Sequence, residues 1–407
     1  MKGLLFLLAL IAFEAPVNAE TLLVTAFGEC RVLAYDSPFT TGMPATIAIG
    51  AQDMNHGCGK YLAPTSASQL SDPNISAMVG SNLAVADSGN SRVVFFGSPL
   101  FTDKSAFAVL GQPNFTSNVE GRHGPRYQNH TGAVAYDEGH GWLAVADSSN
   151  SRVLLFGLSN PATIRDFARP SLVLGAKNLS QGFNRGPVPT CWGPAPKSFY
   201  ALATIPASAN RLCNPSALEF DTAGDLWVAE EGNSRIVRFS APFRDGKSAD
   251  LVIGQPNFKS NAPGLGPNRL AGVNDLAFDA QGNLWAADWE NGRVLRYDAP
   301  LSSGMSASLV LGQPDFYTRT STSRYRIKPV CSGASASKMC DASGIAVDSN
   351  GNIFVSDFDF NRVLIFSGEL QSGMPASVVL GEPDLSTIWQ PTSAVSIGMP
   401  VGIVAQE

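Results

Sequence analysis

Positive charge is scarce in this chain and nowhere gathers. Its 407 residues hold 28 Lys and Arg against 34 Asp and Glu, a net charge of −6. Without a basic run there is no footprint for nucleic acid, whose phosphates are held by clustered cations, and none for an anionic membrane surface. Histidine is rarer still, limited to His56, His123, His130 and His140. No Cys-x-x-Cys or Cys/His zinc spacing occurs, and no His-Glu-x-x-His, Gly-x-Ser-x-Gly or phosphate loop. Nucleophilic hydrolysis therefore has no visible candidate. Heptad-like apolar stretches are scarce, which disfavours a helical bundle. Long apolar runs are missing too, with one exception at the start.

That exception is Leu4 to Phe13, preceded by Lys2 and followed by Val17-Asn18-Ala19. It is shorter than the roughly 20 residues that span a bilayer. Residues 1–19 read as a secretory signal peptide with cleavage near Ala19, leaving 20–407 as an exported chain, secreted or periplasmic, with no membrane span. The six cysteines are even in number, so disulfides are expected in that oxidising setting. Glycine (39) and proline (27) are abundant, which suits short strands joined by turns.

Those strands are written in a repeat. LLVTAFGECR (22–31), LAVADSGNSR (83–92), LAVADSSNSR (143–152), LWVAEEGNSR (226–235), LWAADWENGR (284–293) and IFVSDFDFNR (353–362) align, each ending in Arg. A second string follows, with its glycine at Gly50, Gly111, Gly175, Gly254, Gly312 or Gly381. Arg and Gly are 19 apart in five copies; the third carries four extra residues. A third string, such as NPSALEFDTAGD (214–225), precedes the first. One unit is thus four strands, a to d, with strand-like periodicity throughout. Four-stranded units recurring in this way make a β-propeller, one unit per blade. The fold class is all-β: six blades in a single domain, with cores near 20–54, 72–115, 131–179, 214–258, 272–316 and 341–385. The first copy lacks strand a. The closing segment 399–407 resembles one, so the ring is expected to close by pairing it with the first blade.

The [LI]-x-Val-Ala-Asp-x-x-Asn-x-Arg strings resemble the NHL repeat over nearly the whole mature chain, and their Leu-Gly-Gln-Pro endings are similar to those of secreted bacterial NHL-repeat proteins. The resemblance implies a propeller serving as a binding scaffold. The first copy departs from the pattern, with Ala26, Phe27 and Glu29 where Asp, a free position and Asn stand elsewhere. The repeated pairs Asp87/Arg92, Asp147/Arg152, Glu230/Arg235, Asp288/Arg293 and Asp357/Arg362 read as structural, because a catalytic site needs differing residues that converge once. Asn90, Asn150, Asn233 and Asn361 are expected to bond backbone amides in the turns. So is a second ring, Asp53, Asn114, Asn178, Asn257, Asp315 and Asp384, each followed by an apolar plug.

Function is expected where copies differ. From the strand-d glycine to the next strand b takes 33, 32, 51, 30 and 41 residues, so the d-to-a loops vary. In a propeller they share a face with the b-to-c turns. Bridges Cys30–Cys58, Cys191–Cys213 and Cys331–Cys340 would brace that face. Trp192, Phe199 and Tyr200 in the longest loop are candidate contacts for a protein, peptide or glycan partner. Asp72, His130, Asn214, Asn274, Asp275 and Asp341 begin the inner strands and are the candidates for a metal, calcium above all, at the channel mouth. Related six-bladed calcium-dependent esterases and lactonases hold an ion with such side chains, so a metal-dependent hydrolase or lyase is the alternative. A zinc site from His56, His123 and His130 is a remote variant. No cofactor is required by the leading reading, a non-enzymatic scaffold, and a monomer is expected.

Overall fold

The computed structural model describes residues 20–58, 65–119, 126, 128–179, 206–319, 331, 333–388 and 392–406. These form six four-stranded antiparallel sheets, and helix is limited to short 3-10 turns. Five sheets run a-b-c-d in chain order, as in Pro215–Phe220, Leu226–Glu230, Arg235–Phe239 and Leu251–Ile253. In the first blade Pro400–Gln406 pairs antiparallel with Thr21–Ala26 and supplies the strand a that the start of the chain lacks. Each inner strand packs on those of both neighbouring blades, so the six form a ring.

Strands b and c are apolar almost continuously because both sheet faces are covered by adjoining blades. Val85, Val94, Val145, Leu154, Val228 and Val237 are all buried. The apolar plugs Met54, Phe115, Leu179, Phe258, Phe316 and Leu385 pack against these inter-blade cores. The glycine that ends strand d has a specific cause. All six lie at φ between 81° and 90°, and a Cβ there would overlap Leu70, Gln128, Leu212, Leu270, Met339 or Ile397, the residue that leads into the next blade.

The Arg–carboxylate pairs are the staples of the blade. Arg235 Nε donates to Glu230 at 2.6 Å. Its other nitrogens donate to the carbonyls of Phe258, Ser208 and Arg211 in the loops flanking the blade. Glu230 also accepts from the backbone N–H of Cys213 and from the Asn233 amide. Arg92, Arg293 and Arg362 repeat this pattern. Arg152 repeats its Nε bond to Asp147. The turn Asn therefore serves the carboxylate in most blades, where a backbone partner was expected. Only Asn361 fits that expectation, its Oδ1 accepting from Met399 N–H at 2.9 Å. The departures of blade 1 also compensate. Ala26 offers no carboxylate, and Glu29, at the Asn position, takes Arg31 Nε at 3.0 Å instead. The second ring caps turns as expected: Asp315 accepts from Tyr317 N–H and Asp384 from Ser386 N–H, each at 2.8 Å.

One blade carries a flaw. Gln112, Gln255 and Gln313 donate Nε2 to the carbonyls of Ser91, Ser234 and Gly292. Blade 6 has Glu382 at this position, buried with neither carboxyl oxygen hydrogen-bonded. Burial pushes its pKa up from 4.5 to about 7. Between those values the unfolded chain loses the proton and the folded one keeps it, so stability falls as pH rises across that window. Glu382→Gln is expected to raise the melting temperature by about 2 °C at alkaline pH and by nothing below the lower limit. Equal shifts at both ends of the range would refute this account.

Candidate functional site

Two bridges form as expected, Cys30–Cys58 and Cys331–Cys340, both on the face of the variable loops. Cys213 is disulfide-bonded, while its expected partner Cys191 lies outside the described residues, as do Trp192, Phe199, Tyr200 and His123. The residue leading into each inner strand forms a ring around the channel mouth on this face: Asp72, His130, Asn214, Gly272, Asp341 and Met399. Five of them adopt the left-handed backbone, with φ between 46° and 67°. This turn aims the chain from the variable loop into the channel wall.

The candidates at this mouth are near neighbours that partner separately. Asp72 faces His130; its carboxyl is raised by partial burial and lowered by that imidazole. Asn214 Nδ2 donates to Glu231 at 2.6 Å. Asp341 lies beside Asp359 and near the Trp289 ring, and each of them shifts its pKa. Its pKa is raised by burial first and then by the adjacent Asp359. Asn274 stands at the position where Ser216 and Ser343 stitch blades together by donating to the carbonyls of Val273 and Pro400. His56 binds Asp53 on the surface at 2.8 Å, and His140 binds Asp137 on the opposite face.

Asp275 lies deeper. Its two oxygens accept from the backbone N–H groups of Leu276 and of Ile345 in the next blade, both at 2.9 Å. Two residues along the neighbouring inner strand sequence, Glu219 projects into the same channel, a cavity of about 240 Å³ walled by all six inner strands. At the equivalent place the other blades have Ala77, Ala135, Ala277, Ala346 and Val404. Burial, and then the Asp275 charge, push Glu219 up to about 8. Among the described residues its carboxyl has no hydrogen-bond partner.

Calcium needs six or more oxygens at about 2.3–2.6 Å. Among the described residues, no three of Asp72, His130, Asp275 and Asp341 bring ligand atoms within 4.8 Å of one another. Both Asp275 oxygens are already engaged by the backbone. The three-member cluster that does meet this spacing, Cys331, Cys340 and Asp359, has its two sulfurs joined to each other.

What composition and spacing missed is an aromatic arc. The first residue of the b-to-c turn is Phe27, Ser88, Ser148, Glu231, Trp289 or Phe358 around the ring. The three aromatics fall in blades 5, 6 and 1, which are adjacent. The Phe358 ring centre lies 6.1 Å from Trp289 and 6.2 Å from Phe27. All three are half-buried, with exposed Met399 beside them. The arc borders the Asp341–Asp359 pair.

The NHL-repeat family model matches residues 339–366. That stretch holds strands a, b and c of blade 6, with Asp357 and Arg362, the staple found again in the other blades. That stretch is an NHL repeat, and it forms one blade of a six-bladed propeller. No curated protein matches the sequence. Among solved structures, the propeller is similar at 11% identity and a TM-score of 0.51 to a Bacteroides uniformis protein named as a candidate 6-phosphogluconolactonase, over 96% of this chain and 100% of that one. The structure of a nidogen/laminin complex is similar at 12% identity and a TM-score of 0.48, over 95% and 98%. At these identities the likeness extends to the fold alone.

Proposed function

We propose that this NHL propeller is an exported binding scaffold that holds a protein, peptide or glycan over the channel mouth on the variable-loop face. The observation that carries the reading is the half-buried arc Phe27–Phe358–Trp289. Positions that are Ser88 and Ser148 on the far side of the ring become large apolar rings here, partly open to solvent, on the face where loop length varies and disulfides brace the connections. Aromatic faces combine large contact area with little side-chain entropy to lose, and so suit recognition.

The chain from Glu20 onward, tested against immobilised peptides and glycans, is expected to bind a subset. Trp289→Ala should weaken that binding at least about tenfold, the scale of one good aromatic contact. His140→Ala, on the opposite face, should leave it unchanged. Retention of full binding by Trp289→Ala would remove the mouth from consideration. A second reading, hydrolysis inside the channel, rests on the unpartnered Glu219, whose raised pKa suits a general acid near neutral pH. Turnover of simple lactones that disappears in Glu219→Gln would replace the scaffold reading with this one.

A further inference from the structure

Among the described turns at the mouth, carboxylates prevail. The residues leading into the inner strands and the six b-to-c turns carry Asp72, Glu231, Glu290, Asp341 and Asp359, besides Glu29 bound to Arg31, and His130 is their one basic side chain. The Asp341–Asp359 pair adjoins the aromatic arc: the Phe358 N–H donates to the Asp341 carbonyl at 2.9 Å, and Trp289 lies close enough to Asp341 to lower its pKa. The pair faces Asp357, which Arg362 neutralises, and the Cys331–Cys340 bridge. Lys338 lies on the bridged loop. A surface of aromatic faces bordered by carboxylates is complementary to a cation. The ring quadrupole attracts positive charge, by about 0.5–2 kcal/mol depending on desolvation, and the carboxylates add directional acceptors.

We infer that the arc of Phe27, Phe358 and Trp289, with Asp341 and Asp359, binds the guanidinium of an arginine side chain presented by a peptide partner. Resting on the mouth as the binding face, this names the class of ligand. A proton consequence follows from the pair itself. Two adjacent carboxyls hold one proton between them because both cannot ionise cheaply side by side. An arriving guanidinium stabilises the doubly ionised pair, so binding expels that proton. Arginine keeps its own charge at every accessible pH, so the proton cannot come from the ligand. A neutral ligand would stack on the rings without expelling it.

The test uses the chain from Glu20 onward and an end-blocked Gly-Arg-Gly peptide. Its controls are the citrulline isostere, which has the same shape and no charge, and a neutral hexasaccharide. Calorimetry in two buffers of different ionisation heat counts protons. The arginine peptide is expected to bind at least about tenfold tighter than the citrulline one, the scale of a charge-assisted contact. It should release about one proton per peptide at neutral pH, and bind more tightly as pH rises from about 6.5 to about 9. Asp359→Asn and Trp289→Phe should each weaken it. Asp341→Asn should abolish proton release while its melting curve shows a folded protein. His130→Asn should keep the pH dependence. Equal affinity for citrulline, an unaffected Asp359→Asn, no proton release, or no arginine binding would overturn the inference. If the hexasaccharide binds and Trp289→Ala abolishes this while arginine fails, the mouth reading stands and only the cation is wrong. If arginine binds and no change at the mouth weakens it, both fall.

Discussion

Arg293→Ala is expected to cost about 3–5 kcal/mol, the scale of breaking a buried pair by removing one partner. Arg293 is fully buried, and its guanidinium bonds Asp288 and the carbonyls of Phe316, Gly266 and Arg269. Alanine leaves a buried carboxylate without its counter-charge and takes a donor from each of three carbonyls. A domain's whole stability is about 5–15 kcal/mol, so the loss is a large share of it. Lysine should recover little, because one ammonium cannot reproduce the planar fork. Asp288→Ala combined with Arg293→Ala should cost less than the sum of the single changes, because the charges go together. Denaturant melts of the four proteins check this. A loss under about 1 kcal/mol for Arg293→Ala would show the staple to be incidental. Because Glu29 stands in for the missing Asp of blade 1, Glu29→Ala should behave as Asp288→Ala does.

Truncation before Met399 is expected to remove the native monomer altogether. Pro400–Gln406 pairs with Thr21–Ala26 and packs on the inner strands of blades 6 and 2. Its loss strips Val401 and Ile403 from the core, each worth about 1.5–3 kcal/mol. It also opens a long strand edge in blade 1, a template for aggregation. Size exclusion and far-ultraviolet dichroism of the truncated chain should show aggregate or unfolded protein. A folded monomer of full sheet content would contradict the role assigned to this strand. Gly344→Val tests the same junction more gently, because any Cβ there overlaps the Val401 carbonyl. About 1–3 kcal/mol is expected, the usual cost of overpacking.

The repeats were legible because their causes are local. The Asp87-to-Arg92 spacing sets a turn between paired strand residues, and the Gly111 spacing sets a left-handed backbone at the end of strand d. Such signals survive in one dimension and recur with every blade. The strand missing before Leu22 and the strand-like ending after Met399 identified each other by subtraction. Glu219 escaped notice for the opposite reason. Nothing near it in the chain distinguishes it from Glu231 or Glu290, and only the register of its inner strand turns it into the channel among alanines. The compensation of Ala26 by Glu29 was hidden too, because it exchanges one position in the turn for another while the Arg31 contact persists.

The sequence by itself determined the blade: four strands, their order, the buried Arg–carboxylate staple, and two of the bridges that brace the variable face. Tertiary structure alone decided what meets across blades. Phe27 and Phe358 come from opposite ends of the chain and meet only because the ring closes between them. Asp341 and Asp359, in different strings of one repeat, come together in the folded blade, and burial with the neighbouring carboxyl raises the Asp341 pKa. Periodicity reports which residues face a neighbouring sheet. It carries no information about which neighbour arrives there, because that depends on how many blades close the ring.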